Sequence, residues 1–225
     1  MKTLKALLFF GATLVMAIYL FEITNLDLMI QDCFFNFETS KWIIDKRDPL
    51  LKLIFYSGPK KMIIAGGGVI LVFYVFSWKK KRRAKHRRAF LHILLALVVV
   101  PLVIASLKQV TNMYCPAQMD LYDGSHPYIK LFEPYPEGTA PCKPGKCFPA
   151  GHASAGFALM ILWYALRSKR KKWIGLVSGI AAGWTMGLYQ MMKGAHFMSH
   201  TVVTMISAWI LILVIHAVAD RVHPD

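Results

Sequence analysis

The sequence predicts an all-α fold, a six-transmembrane-helix bundle with amphipathic interfacial helices on the periplasmic side. Three observations predict it. The 225 residues are 56% hydrophobic and 17% charged, against about 25% charge in a soluble domain. Six stretches approach the roughly 20 apolar residues that cross a bilayer. Two short, acid-free runs, 79–88 with eight Lys or Arg and 167–172 with five, hold nearly half of the basic side chains. This composition excludes a soluble globule, a disordered chain and a disulfide-dense scaffold. It also assigns the net charge of +15 to two loops rather than to a nucleic-acid-binding face.

The six stretches are 4–21, 62–78, 89–107, 149–166, 173–192 and 201–219. The first follows Lys2 and Lys5, as a signal peptide would. It is long for one, and no small-x-small cleavage site follows, so retention is expected. The basic runs follow the second and fourth stretches and place both in the cytoplasm with the two termini. They are expected to act as topology determinants, with contact to anionic headgroups as the lesser reading. The whole chain, 1–225, reads as one integral-membrane domain: a first span (1–22), an interfacial segment (23–61) and a core with the chemistry (62–225).

Segment 23–61 carries Leu26, Met29, Ile30, Phe34 and Phe37 at near-helical spacing, with Trp42 and Tyr56 as interface anchors. It reads as one or two short surface helices, broken at Pro49 and at Gly58-Pro59. Segment 108–148 is rich in Pro, Gly and Tyr, too polar to span and too long for a plain connector. The fifth stretch has Gly175, Gly179, Gly183 and Gly187 on one helix face, which lets another backbone approach closely and places this helix centrally.

Of four cysteines, Cys142 and Cys147 flank a Lys-Pro-Gly-Lys turn. Either a disulfide there or two unpaired thiols fits an oxidising compartment. No second closely spaced cysteine pair supports a zinc site. Cys33 reads as an apolar interfacial residue. His92, His126, His216 and His223 read as ordinary helix-end or interfacial histidines.

Three stretches bring polar groups to the outer face: 108–116, from Lys108 to Cys115-Pro116; 148–154, Phe-Pro-Ala-Gly-His-Ala-Ser; and 193–200, Lys-Gly-Ala-His-Phe-Met-Ser-His. Ionisable groups at the ends of apolar helices are costly and mark function. One imidazole can act as a neutral nucleophile while a second is a protonated acid. Lysines can neutralise phosphate oxygens. That set suits metal-free phosphoryl transfer, and no acid-rich magnesium pocket accompanies it.

In order, spacing and membrane position the three stretches resemble the signature of the type 2 phosphatidic acid phosphatase family. These are six-span lipid phosphatases related to vanadium haloperoxidases, and the resemblance covers roughly residues 20–218. The family pattern is Lys, six residues, Arg-Pro; then Pro-Ser-Gly-His; then Ser-Arg, five residues, His, three residues, Asp. The resemblance implies that Lys108 binds phosphate and Pro116 is the motif proline. It makes Gly151 the residue whose amide approaches the phosphate, His152 the general acid and His196 the nucleophile that becomes phosphohistidine. The chain departs from the pattern at four places. Cys115 replaces Arg, Ala150 replaces Ser, Tyr189-Gln190 replaces Ser-Arg, and His200 stands where an Asp orients the nucleophile.

Local residues offer compensation. Lys193, about 60° around a helix from His196, would supply charge missing at Gln190, which keeps an amide donor. Lys143 and Lys146 would replace the charge missing at Cys115. His200 would fix the His196 tautomer. The expected catalytic residues are therefore His196, His152 and His200. The expected phosphate-binding residues are Lys108, Gly151, Lys193, Gln190, Lys146 and Lys143, with no metal and no cofactor. The implied activity is hydrolysis of a lipid phosphate or diphosphate: lipid A, undecaprenyl diphosphate, phosphatidylglycerol phosphate or phosphatidic acid. The implied setting is a bacterial inner membrane with the site facing the periplasm. Alternatives are a lipid phosphotransferase, a three-histidine zinc site of His152, His196 and His200, and a non-catalytic anion- or lipid-binding protein.

Overall fold

The computed structural model describes residues 2–78, 86–135 and 145–222. The predicted Cys142, Lys143 and His223 and most of the first basic run lie outside the described residues. The described chain is mostly helical, and its two short strands form one small hairpin. Helix α1 (Lys2–Ile23) is followed by α2 (Leu26–Asp32) and by strands β1 (Phe35–Asn36) and β2 (Lys41–Trp42), which pair antiparallel. Then come α3 (Pro49–Lys52), a π turn (Leu53–Ser57), α4 (Gly58–Ser77) and α5 (Arg87–Val110). After an irregular stretch with two 3-10 turns follow α6 (Gly151–Ala158), a 3-10 turn, α7 (Leu162–Ala165), α8 (Lys169–Met192) and α9 (Met198–Val222).

Among the described residues, four helices are long and apolar enough to cross a membrane: Thr3–Ile23, Pro49–Ser77, Arg87–Val110 and Met198–Asp220. They correspond to predicted stretches one, two, three and six. Their outer faces expose large apolar side chains such as Phe9, Met62, Val98 and Leu102, which suits hydrocarbon rather than water. Stretches four and five are helical but do not reach that standard of length and apolarity. The fourth is split by the 3-10 turn Leu159–Ile161, and the fifth packs its glycine face against it. A Cβ on Gly156 would lie 2.5 Å from the Gly183 nitrogen, and one on Gly179 would lie 2.5 Å from the Met160 nitrogen. The two backbones touch, so only glycine fits. The close approach that the glycine spacing predicts holds on this face, while Trp173, Ile174 and Val177 on the same helix are exposed, so the fifth helix packs closely on the fourth without being enclosed by the bundle.

The interfacial segment differs from expectation. It holds one short helix, α2, and then the β1–β2 hairpin, a departure from an all-α fold that is confined to four residues. The polar side of α2 is the buried one: Asp27 and Gln31 face inward while Met29 is exposed. Gly58-Pro59 does not break the chain either. The helix runs on from Pro49, and the missing proline N–H is absorbed by the π turn before it. There a Cβ on Gly58 would meet the Leu53 carbonyl oxygen at 2.4 Å.

Described residues of the two basic runs meet at one end of the bundle. Arg88 from the first and Arg167 and Lys172 from the second line one cleft with His92 and His216. Lys108 and His200 lie 16 residues along the same helices from His92 and His216, about 24 Å at 1.5 Å per residue. The motif residues therefore gather at the opposite end, as the charge pattern predicts. His92 and His216 are less ordinary than expected: with Arg88 they form a polar network on Asp220. His126 stacks on Tyr114.

Candidate active site

The three motif stretches meet. The Met113 carbonyl accepts the Cys147 N–H at 3.0 Å, and the Asn112 side chain accepts the Gly145 N–H at 2.7 Å, so motif one runs beside the segment that leads into motif two. The Ala117 N–H donates to the Gly194 carbonyl at 2.8 Å, joining motif one to motif three. Thr204 closes the third side: its hydroxyl accepts the Ala150 N–H at 2.9 Å and donates to the His200 carbonyl at 2.7 Å.

At this junction the His152 and His196 ring centroids are 6.1 Å apart. His196 is buried in the turn between α8 and α9. Burial, reinforced by His200, Lys108 and His152, holds its pKa well below the usual imidazole range, so at neutral pH the ring is uncharged and carries a lone pair. His196 Nδ1 lies 3.3 Å from His200 Nδ1. With the proton of that pair on His196 Nδ1, Nε2 is the free nucleophilic nitrogen. His200 thus stands where the sequence placed an orienting group. Its own Nε2 is buried without a hydrogen-bond partner among the described residues.

His152 sits in the first turn of α6. Its Nε2 lies 2.8 Å from the Tyr56 hydroxyl, with the two rings 4.6 Å apart. Lys108, at the last turn of α5, is half-buried, and its charge acts on all three histidines. A Cβ on Gly151 would meet nothing within 4 Å, so the backbone there is approachable. Ser154 turns away and donates to the Gly151 carbonyl at 2.6 Å.

The compensating lysines behave differently from expectation. Helix α8 ends at Met192, and Gly194 adopts φ +72°. Lys193 and His196 therefore do not share a helix face. The Lys193 ammonium instead lies over the rings of Tyr56 (5.1 Å) and Tyr189 (4.7 Å), placing its charge on the His152 side. Burial, with Lys52 adding, lowers its pKa from the ordinary lysine value. Lys146 is exposed, and among the described residues no hydrogen bond or ion pair ties it to the site. Gln190 is buried, with its Oε1 unpartnered among the described residues.

Neither alternative open for Cys147, a bond to Cys142 or an unpaired thiol, holds. Cys147 bonds to Cys115, with the two Cα atoms 5.2 Å apart. The Met113–Cys147 backbone bond brings these segments together although 32 residues separate the two cysteines in sequence. Position 115, where the family carries Arg, thus holds half of a covalent clamp. Cys147 Sγ also lies 3.4 Å from His196 Nδ1. A disulfide sulfur carries no proton, so it can only accept, weakly, from the Nδ1–H. Cys147, His196 and His200 have metal-ligand spacing, all within 4.8 Å, yet a disulfide sulfur is no thiolate ligand. The expected zinc partner, His152, does not belong to this group.

Sequence reasoning missed three contributors. Tyr56, read as an interface anchor, partners His152. Asp27 accepts the Ser199 N–H at 2.8 Å and so caps α9 from a distant segment. Trp42 packs on the turn so closely that a Cβ on Gly194 would lie 2.4 Å from its ring. A carboxylate at position 27 in a largely apolar segment was the one visible signal.

The PAP2 superfamily profile matches residues 89–223, which include all three motif stretches. The match begins later than the resemblance read from sequence. A curated relative, lipid A 4'-phosphatase of Francisella tularensis subsp. novicida (strain U112), is 29% identical over 106 residues, covering 47% of this chain and 46% of that protein. The chain thus aligns with about half the length of that relative. No solved structure matches the chain.

Proposed function

The chain belongs to the PAP2 superfamily, and from that premise we propose that it is a membrane lipid phosphatase working through a phosphohistidine. His196 Nε2 attacks phosphorus, and the bond to the lipid oxygen breaks. His152 protonates that oxygen, while Lys108 and Lys193 offset charge on the phosphoryl oxygens. Water then gives a proton to His152 and attacks phosphorus; the phosphorus–nitrogen bond breaks, and phosphate leaves with both imidazoles restored. Tyr56 orients the His152 ring, and His200 holds the His196 tautomer. The observation that carries this reading is the convergence of a neutral, buried imidazole and a second imidazole from another helix at one end of an apolar bundle.

The proposed setting is a bacterial inner membrane. There α6–α7 and α8 complete six spans, the basic runs face the cytoplasm and the site faces the periplasm. The named activity of the relative makes phosphorylated lipid A the first substrate to test, followed by undecaprenyl diphosphate and phosphatidic acid. Purified protein should release phosphate from at least one of these in the presence of chelator, and vanadate should inhibit it. His196→Ala should lower turnover by roughly a thousandfold or more. Acid-labile label on the wild-type protein would report the intermediate. Activity undiminished in His196→Ala would sink the reading. Transfer of the label to an alcohol rather than water would favour the phosphotransferase alternative.

A further inference from the structure

A cleft of about 460 Å³ opens beside the catalytic turn, lined among others by Lys41, Trp42, Lys46, Arg47, Ala117 and Lys193. Four cations face it against one carboxylate, Asp45, whose Oδ1 is engaged by the Arg47 N–H at 2.8 Å. The wall is seated on the site rather than loosely draped. Ile44 N–H donates to the Met192 carbonyl at 3.2 Å, Trp42 packs on Gly194, and Ala117 N–H donates to the Gly194 carbonyl. Lys193 belongs to both places: it lines the cleft, and its ammonium lies over the ring of Tyr56, the partner of His152. Residues 40–47 lie outside the family match at 89–223.

We propose that the cleft seats a second anionic group of the substrate. The preferred substrate is then a lipid whose headgroup carries another phosphate beside the scissile one. This inference rests on the lipid-phosphatase reading above. Lys41, Lys46 and Arg47 are exposed, and each solvated cation contributes little alone. A second phosphate on the same headgroup meets them at high effective concentration once the first is bound. Three such contacts together are expected to give about a tenfold preference, weakened by salt.

The test compares two lipids with the same chains and the same scissile phosphate. One bears a second phosphate on the headgroup, the other a hydroxyl. With the full-length protein in detergent, kcat/KM should be about tenfold higher for the two-phosphate lipid, chiefly through KM, and the ratio should shrink at about 0.5 M salt. In the Lys46→Gln/Arg47→Gln double variant the ratio should fall towards one. Millimolar inorganic phosphate should not activate turnover of the one-phosphate lipid. Activation would mean that the cleft takes a free anion and would overturn the substrate-borne assignment. Equal kcat/KM for the two lipids would overturn the inference and leave the phosphatase reading intact. A preference kept in the double variant would overturn its placement in this cleft. Vesicle flotation separates the remaining cases. Release from neither lipid, with tighter binding of the two-phosphate lipid that the double variant loses, would overturn only the phosphatase reading. Release from neither with no binding preference would overturn both.

Discussion

Replacing Asp27 by asparagine should remove one contribution to the pH dependence of stability, the one by which the fold loses stability as pH rises from about 4 to 6. The Asp27 side chain is buried, and its Oδ1 accepts the Ser199 N–H at 2.8 Å, one residue from His200. Burial raises its pKa from 3.8 to about 6, against the opposing hydrogen bonds from Ser199 and Met198. A folded-state pKa above the unfolded value means that the fold favours the protonated form. That contribution is complete below pH 3.8 and is lost as pH rises through about 6. A shift of about two units corresponds to about 3 kcal/mol. In a chain of this size that is roughly 6–12 °C in Tm. The asparagine side chain keeps an oxygen for the Ser199 N–H and never ionises. Asp27→Asn should therefore lack that loss: its Tm relative to the wild type should rise by roughly 6–12 °C from about pH 4 to about pH 7, on top of the acid-side loss that both proteins share from holding His196 uncharged. Asp27→Ala should follow the same pH course as Asp27→Asn but lie lower, by about 1 kcal/mol for the lost cap. Thermal unfolding in detergent at stepped pH reads all three proteins. Parallel curves for the wild type and Asp27→Asn would refute the assignment of a raised Asp27.

Other predictions follow from the neighbours of the two central histidines. Lys193→Ala should lower kcat/KM at least about tenfold more than Gln190→Ala, because the Lys193 charge sits on the His152 side while Gln190 is buried behind it; equal small effects in steady-state assays would count against that role. Tyr56→Phe should lower kcat by about tenfold and displace one limb of its pH profile, with a stability change of about 1 kcal/mol or less. An unmoved profile would show that Tyr56 only packs. Peptide mapping without reductant should recover Cys115 joined to Cys147. Cys115→Ser should cost about 3–4 kcal/mol by the loop-closure relation, and a Cys142–Cys147 peptide in its place would contradict the structure.

Much of the site was legible because its key residues are local to motifs. His152, His196, His200 and Lys108 each stand at the end of an apolar stretch, and helix length with loop charge was enough to gather them at one end of the bundle. The glycines of α8 were legible for the same reason, since a fixed spacing along one helix names a face. Apolarity alone served less well inside the bundle. Stretches four and five look out on other helices as much as on lipid, so close approach and glycine replace uniform hydrophobicity there. Cys147 shows the limit most plainly: Cys142 was nearer in sequence, but the backbone bond to Met113 delivered Cys115.

The sequence by itself determined most of the helical stretches and the end of the bundle where the candidate side chains gather, because periodicity and charge act over a few residues or along a single helix. Only the tertiary structure decided which cysteines join, that Tyr56 rather than a motif residue partners His152, that Asp27 caps the helix of His200, and that Lys193 bridges the site and a cationic cleft. Those relations link residues tens to nearly two hundred positions apart. They depend on how helix ends and a small hairpin pack against one turn, and no local pattern in the chain encodes that packing.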